Sequence, residues 1–251
     1  MGKLKSYDKL AFFLPNTFTA LNLGCGFMAI MYSMHGEFYI SCMLIIAGAL
    51  FDSVDGRVAR MVHAESAFGE QFDSLSDLIS FGIAPAIIYY NRFLGGSGRL
   101  GMIAAFMFLL CGALRLARFN ANIDKVSSDF FQGLPIPGAA SAIIGFILVS
   151  LKFPTYFTND YLLMVYIAFY SILMISNIPF SSFKNSNSVK KHKRKILFGI
   201  FLLLASVFVY EEIMILIVMS VYVLGCLIFR ITNRDKFEDI FNWDEVEDVQ
   251  P

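Results

Sequence analysis

Charged side chains are scarce in this sequence. Of its 251 residues only 16% are Asp, Glu, Lys or Arg, and 57% are hydrophobic. An average soluble domain has about 25% charged and about 45–50% apolar residues. The formal net charge is zero, so no overall positive field favours nucleic acid, and we expect no nucleic-acid partner. These deficits exclude an ordinary soluble domain and predict a protein embedded in a membrane.

Cysteine patterning and targeting signals are also missing. The four cysteines lie inside apolar runs without the spacing of metal sites, which indicates small buried hydrophobic side chains: Cys25, Cys42, Cys111 and Cys226. Lysines precede the first apolar run, but no small-residue cleavage site follows it, so we expect no cleavable signal peptide. We find no internal repeat and no soluble domain in the sequence.

Long apolar runs dominate the rest of the chain. A helix that spans a membrane needs roughly 20 mostly apolar residues. This rule predicts an all-α polytopic membrane protein with about eight spans, at 15–34, 38–59, 71–91, 100–119, 137–153, 161–180, 196–210 and 212–230. The seventh span is short, and a tight turn near Glu211 separates it from the eighth.

The apolar runs also divide the chain. Residues 1–14 mix Lys with Leu and Phe, which favours a short amphipathic helix on the membrane surface, with a disordered tail as the alternative. We expect a six-helix core at 15–180, a basic loop at 181–195, two additional spans at 196–230 and an acidic tail at 231–251. The run K-K-H-K-R-K within the basic loop is typical of a topogenic loop that also contacts anionic lipid headgroups.

The distribution of positive charge orients the spans. Lys and Arg concentrate on the cytoplasmic side of membrane proteins. If the N-terminus is cytoplasmic, all but three of the 20 Lys and Arg fall on inner segments, the exceptions being Arg92, Arg99 and Lys152. The eight-span topology therefore predicts a protein of the inner, cytoplasmic membrane with both termini inside.

One acidic stretch stands out from this apolar background. Residues 52–77 place Asp52 and Asp55 near the end of one predicted helix and Asp73 and Asp77 near the start of the next. Residues three or four apart share a helix face, so a short turn near 63–67 brings two acidic pairs together. Four clustered carboxylates repel one another, and divalent cations such as Mg²⁺ relieve that repulsion. We call residues 52–77 the acidic motif.

The acidic motif has the spacing D-x2-D-G-x2-A-R-x8-G-x3-D-x3-D. This spacing resembles that of the CDP-alcohol phosphotransferase family, whose members move a phosphoryl group from a CDP-linked donor to an alcohol and release CMP. The resemblance implies two Mg²⁺ or Mn²⁺ ions held by Asp52, Asp55, Asp73 and Asp77, with Asp77 also the catalytic base. It implies a CDP site at Gly56, Ala59, Arg60 and Gly69, and a homodimer.

An N-terminal element and two later stretches extend the resemblance. Asn16 and Thr19 resemble the family's element near the nucleotide, although an ordinary helix cap is an alternative. The stretches A-L-R-L-A-R-F-N at 113–120 and F-F-Q-G-L-P-I-P-G-A-A at 130–140 resemble the integral-membrane branch of the family that makes phosphatidylserine. That branch implies CDP-diacylglycerol as donor, L-serine as acceptor and membrane lipids as surroundings.

Two arginines are candidates for binding the acceptor or a lipid phosphate. Arg115 and Arg118 lie one helical turn apart at the predicted end of the fourth span. Guanidinium groups bind carboxylates and phosphates through paired hydrogen bonds. The alternative is that both simply mark the cytoplasmic end of a helix. Charge does not choose among serine, glycerol phosphate and inositol phosphate as acceptor.

A transporter is the alternative from another functional class, since acids within membranes also build ion pathways. Transporters more often have repeated halves and helices broken at mid-depth. Here the acids gather at one predicted edge, and no second acidic half exists. No H-x-K-x4-D pattern occurs either, which excludes a phospholipase-D-like route through a covalent intermediate. The sequence therefore favours direct transfer by a membrane enzyme.

Overall fold

The computed structural model describes residues 6–61, 66–121, 130–181, 206 and 209–232. Within these ranges the protein is helical apart from turns and two three-residue strands, which the all-α prediction did not include. All but the first residue of the predicted basic loop at 181–195, most of the predicted span at 196–210 and most of the tail at 231–251 lie outside the described residues. Those assignments stay predictions.

The helices follow the predicted apolar runs closely. The elements are α1 (Ser6–Met34), α2 (Phe38–Met61), α3 (Ala67–Asp77), a π-helical segment (Leu78–Ile83), α4 (Ala84–Tyr89), a second π-helical segment (Tyr90–Leu94), α5 (Gly98–Ala121), β1 (Phe130–Gln132), α6 (Ile136–Lys152), a 3-10 turn (Pro154–Tyr156), α7 (Asp160–Ile175), β2 (Pro179–Ser181) and α8 (Glu211–Thr232).

Five helical stretches are long and apolar enough to cross a membrane: Pro15–Met34, Phe38–Met61, Ala67–Leu94, Gly98–Ala121 and Glu212–Thr232. At 1.5 Å per residue, the shorter apolar helices α6 and α7 extend only about 25 Å. The third span is continuous from α3 to the second π-helical segment. The protein is therefore a helical membrane protein, and the total of eight spans stays a prediction.

The N-terminal part of the first span differs from the prediction. Helix α1 begins at Ser6 and continues through Pro15 into the apolar span, so no break separates an interfacial helix at 1–14 from the span. That separate helix is not confirmed, and residues 1–5 lie outside the described part. The helix-cap alternative for Asn16 and Thr19 is wrong, because both residues lie well inside α1.

Helix α6 occupies the centre of the bundle. Its buried residues face in all directions, which is typical of a helix enclosed by other helices. It packs against α2, α7 and α8. Gly145 allows a close approach of α8, because a Cβ atom there would lie 2.8 Å from the backbone nitrogen of Leu216. The last helix is thus packed directly onto the core.

A short antiparallel pairing joins the chain before α6 to the chain after α7. In β1 and β2, Phe131 pairs with Phe180 and Gln132 with Pro179. Gly133 follows with a φ of +77°, and its N–H donates to Ile178 O at 2.9 Å. This pairing places the start of α6 beside the ends of α5 and α7.

Candidate active site

The acidic motif folds into one cluster of carboxylates. Asp52 and Asp55 come from α2, and Asp73 comes from α3. A carboxylate oxygen from each of these three residues lies within 4.8 Å of the other two. The fourth acid, Asp77, is one helical turn beyond Asp73, and its carboxyl group lies within hydrogen-bonding reach of Asp52. The predicted convergence of the two acidic pairs is therefore present.

The start of α3 is set by a side-chain cap. Ser66 has an extended backbone, and its hydroxyl oxygen accepts a hydrogen bond from the Gly69 N–H at 3.1 Å. Such a cap satisfies one of the free N–H groups in the first helical turn. It also fixes where the helix begins, and hence which face carries Asp73 and Asp77.

Helix α1 braces both acidic helices. The Thr19 hydroxyl donates to Asp55 Oδ2 at 3.0 Å, and Asn22 Nδ2 donates to Asp77 Oδ1 at 3.4 Å. Helix α3 and the π-helical segment after it are tied back to the α1 backbone: Ser76 donates to Thr19 O at 3.1 Å and Ser80 to Asn22 O at 2.9 Å. One face of α1 thus contacts an acid from each pair.

The cluster fits divalent cations. Asp73 Oδ1 is buried and has no hydrogen-bond partner among the described residues. No Lys or Arg in the described part of the chain forms an ion pair with any of the four acids. Buried carboxylates without compensation are strongly unfavourable, and oxygen atoms are the ligands that Mg²⁺ prefers. The donor set and its unpartnered oxygen therefore suit metal ions.

A cavity of about 210 Å³ opens beside the cluster. All six residues predicted to bind CDP line it: Asn16, Thr19, Gly56, Ala59, Arg60 and Gly69. Asp55 and Asp73 form its acidic end, and Pro15, Ser66 and Glu70 complete the lining. Apart from the backbone of its own helix, no atom of a described residue lies within 4 Å of the position that a Cβ would take at Gly56. The cavity therefore offers space for a ligand directly beside the acids.

Arg115 lies near Asp77 and is not among the residues that line the cavity. Its side chain is 8% exposed, and its guanidinium lies 5.4 Å from the centre of the Phe119 ring. It is close enough to Asp77 for their charges to interact, yet no hydrogen bond to a described residue is present. A buried guanidinium with free donors suits an anionic ligand.

Arg118 has different surroundings from Arg115. Its guanidinium donates to Asn177 Oδ1 and to four backbone carbonyls, those of Gln132, Met174, Ile175 and Ser176, at 3.1–3.4 Å. These contacts join the end of α5 to β1 and to the chain after α7. The structure therefore does not bring the two predicted acceptor arginines together in one role.

Several residues of the site were not predicted from the sequence. Asn22, Ser76 and Ser80 contact the acids or the helices that carry them, but single polar residues in an apolar helix leave no pattern that marks them. Ser66 and Glu70 line the cavity. Of these, only Ser66 had a usable signal, because a serine directly before a helix often caps it.

Comparison with known proteins agrees with this geometry. The profile of the CDP-alcohol phosphatidyltransferase family matches residues 12–183. A CDP-diacylglycerol–serine O-phosphatidyltransferase of Helicobacter pylori is 35% identical over 85% of this chain and 89% of its own length. A protein of the same name from Methanocaldococcus jannaschii is 39% identical over 66% of this chain and 73% of its own.

The archaetidylserine synthase of Methanothermobacter thermautotrophicus is 37% identical over 66% of this chain and 69% of its own length. The matched region in the family profile contains the acidic motif, the cavity and both arginines. The spacing of the acids, their convergence beside the cavity and these matches lead to one conclusion. This chain belongs to the CDP-alcohol phosphatidyltransferase family.

Proposed function

We propose that this protein transfers the phosphatidyl group from CDP-diacylglycerol to the hydroxyl of L-serine and releases CMP. The observation that carries the proposal is the cluster of Asp52, Asp55 and Asp73, with Asp77 next to Asp52, beside a cavity lined by the small residues of the same motif. The names of the relatives support serine as the acceptor.

Asp52, Asp55 and Asp73 would hold two Mg²⁺ or Mn²⁺ ions, with Asp77 at the edge of the same site. When bound, a pair of divalent cations neutralises charge on a phosphoryl group and stabilises both its attacking and its leaving oxygen. Thr19 keeps Asp55 oriented through its hydroxyl. The unpartnered Oδ1 of Asp73 supports a ligand role for that residue.

The cavity would hold the CDP group of the donor. Gly56 and Ala59 present little bulk to it, and Gly56 has open space above its Cα atom. Arg60 lies in the lining, where its charge suits the diphosphate. Asn16 and Thr19 close the cavity on the α1 side. The reacting phosphorus would then lie at the acidic end of the cavity, beside Asp55 and Asp73.

Asp77 would act as the general base. The serine hydroxyl gives its proton to the Asp77 carboxylate while its oxygen forms a bond to the phosphorus that carries diacylglycerol. The bond from that phosphorus to the CMP oxygen breaks, and CMP leaves with the electron pair. A general base needs direct reach of the proton it removes, and Asp77 is at the side of the cluster that faces Arg115.

Arg115 would bind the serine carboxylate, since its buried guanidinium has no other hydrogen-bond acceptor among the described residues. Arg118 would act indirectly, by keeping the end of α5 in place through its carbonyl contacts. Glycerol phosphate or inositol phosphate would also suit a buried guanidinium. For this reason the acceptor is the part of the proposal that most needs an experiment.

We also propose that the active site faces the cytoplasm, that the protein is in the inner membrane and that it forms a homodimer. The uneven distribution of Lys and Arg supports the orientation. The homodimer rests on the resemblance to the family. An ion-coupled transporter is less favoured, because the acids form one cluster beside a cavity lined by the small residues of the same motif.

The deciding experiment uses the purified protein with CDP-diacylglycerol and a panel of acceptors, and it measures CMP release. We expect release with L-serine and none above background with glycerol 3-phosphate or inositol phosphate. Release only with a phosphorylated acceptor would overturn the serine assignment and leave the transferase class intact. No release with any alcohol in the presence of Mg²⁺ or Mn²⁺ would contradict the proposed activity itself.

A further inference from the structure

Asn22 has no assigned role in the family motif, yet it is a polar side chain enclosed beside the acids. It lies inside α1, one helical turn after Thr19, and is fully buried. Its Nδ2 donates to Asp77 Oδ1 at 3.4 Å, and its backbone carbonyl accepts from the Ser80 hydroxyl at 2.9 Å. Asn22 therefore contacts the third span at two points that are three residues apart.

The position of the amide is also set from the opposite side. A Cβ atom at Gly48 of α2 would lie 2.9 Å from Asn22 Oδ1 and 3.4 Å from the Cβ of Cys25. Only glycine leaves this space free for the amide without displacing it. The Asn22 side chain is thus held between Gly48 and Asp77, so the direction in which it donates is restricted.

Folding stability alone does not explain a buried amide at position 22. Asn22 Oδ1 is buried and accepts no hydrogen bond from any described residue. An unsatisfied buried amide oxygen destabilises a fold, and an aliphatic side chain of similar size would avoid it. A buried polar group that is unfavourable for folding points to a functional reason for its presence.

Resting on the proposed function, we infer that Asn22 is the positioning residue for Asp77. Its amide donates to Oδ1 and holds the carboxylate in the orientation that leaves the other oxygen for the acceptor hydroxyl. The 3.4 Å distance is long for a hydrogen bond. Hydrogen bonds of catalytic groups are often long before the substrate binds.

Asn22→Leu tests this role, because it keeps the approximate volume and removes the donor. We expect kcat to fall roughly 10-fold or more, given that a correctly placed base contributes about 10²–10⁴-fold. The KM values for serine and CDP-diacylglycerol and the affinity for Mn²⁺, measured by electron paramagnetic resonance, should stay within about threefold because the variant leaves the ligands in place. If Asn22→Leu does not fold, Asn22→Ala carries the same test.

Asn91→Leu is the matched control. Asn91 Nδ2 donates to the Ser33 hydroxyl of α1 at 3.0 Å, so this variant removes an amide contact between the same two spans, away from the acids. We expect Asn91→Leu to lower the Tm in detergent and leave kcat unchanged. Equal losses of kcat in both variants would show a general packing effect and overturn the inference.

Two further outcomes separate this inference from the proposed function. Added to Asp77→Asn, the change Asn22→Leu should cause no further loss, since Asn22 acts through Asp77. A full additional loss would overturn the positioning role, as would an unchanged kcat in Asn22→Leu alone. A fall in Mn²⁺ affinity that accounts for the lost activity would move Asn22 to the metal site. High activity of Asp77→Asn would instead contradict the proposed base.

Discussion

The Thr19 hydroxyl donates to Asp55 Oδ2 at 3.0 Å, which joins α1 to the acidic pair of α2. Thr19 Oγ1 also lies 3.3 Å from Pro15 O, but one hydroxyl proton serves one acceptor at a time, and the carboxylate is the nearer. Both groups are buried. Thr19, proposed to line the donor site, therefore has a second contact that orients a proposed metal ligand.

Thr19→Val should raise the metal concentration that activity requires. The change keeps the shape and removes the hydroxyl, and a hydrogen bond to a charged group contributes about 1.5–3 kcal/mol. After removal of metal by EDTA, we expect no CMP release from either protein. Mg²⁺ should restore the activity of Thr19→Val at a concentration roughly 10-fold above the one that restores the original protein. Thr17→Val is the control, since among the described residues the Thr17 hydroxyl donates only to Phe13 O in its own helix. Full activity in EDTA would contradict the metal proposal.

Asp73→Asn and Asp77→Asn should both lower activity, but for different reasons. Loss of the ligand Asp73 should weaken binding of Mn²⁺ and of CDP-diacylglycerol together. Loss of the base should leave donor binding largely intact and lower kcat by about 10²–10⁴-fold. Donor binding by calorimetry and turnover by CMP release separate these effects. An Asp77→Asn variant with more than roughly a tenth of the original kcat would not be consistent with a base.

Gly56→Leu should block the donor without disturbing the fold. A Cβ atom at Gly56 meets no atom within 4 Å, and the added side chain would enter the cavity proposed for CDP. We expect the KM for CDP-diacylglycerol to rise at least 10-fold, about 1.4 kcal/mol of binding energy, with an unchanged Tm. Gly24→Leu is the matched control, because Gly24 also has open space around it but lies on the exposed face of α1. An unaltered KM for Gly56→Leu would place the nucleotide elsewhere.

The two arginines should respond differently to replacement by Lys, which keeps the charge but loses the planar fork. Arg115→Lys should raise the KM for serine roughly 10-fold and leave the KM for CDP-diacylglycerol and kcat nearly unchanged, the pattern of lost uniform binding. Arg118→Lys should instead lower the Tm, because one ammonium group does not reach five separate acceptors. If Arg115→Lys raises the KM for the lipid donor alone, Arg115 binds the diphosphate.

Gly133→Ala should destabilise the protein more than the positive φ angle at this position alone explains. Gly133 and Gly36 both have positive φ angles, +77° and +81°, where an L side chain costs roughly 1 kcal/mol. A Cβ at Gly133 would also lie 2.3 Å from Met174 O, whereas Gly36 has open space. We expect thermal unfolding in detergent to show a clearly larger loss of Tm for Gly133→Ala than for the control variant Gly36→Ala. Equal losses would mean that the close approach at Gly133 relaxes without cost.

The sequence predicted the acids of the site well because their spacing along two helices already determines which face they share. The bounds of the described spans follow the apolar runs for the same local reason. Asn22 and Ser80 were missed, since their contacts depend on how α1 is rotated against the third span, and no local pattern encodes that rotation. The β1–β2 pairing was missed because it joins three-residue segments that lie far apart in the chain.

Arg118 shows a different limit on what the sequence can predict. From the sequence, Arg115 and Arg118 are equivalent cations one turn apart. Their surroundings differ because β1 and the end of α7 place carbonyl groups around one of them only. The tertiary structure therefore separates a ligand-binding candidate from a structural side chain of the same type, and residue type and spacing contained no information on that point.

The π-helical segment Leu78–Ile83 begins directly after Asp77. A π-helical turn closes hydrogen bonds five residues apart instead of four, so it accommodates one extra residue. One residue corresponds to about 100° of rotation in an α-helix. The wide turn therefore absorbs a residue that would otherwise rotate the rest of the span, and it keeps Ala84, Ile88 and Tyr89 buried while Asp77 faces the acids. A single-residue deletion between Leu78 and Ile83 would convert this turn into an α-helical one and leave both faces aligned, whereas the same deletion in α3 or α4 would rotate one face away from its partners.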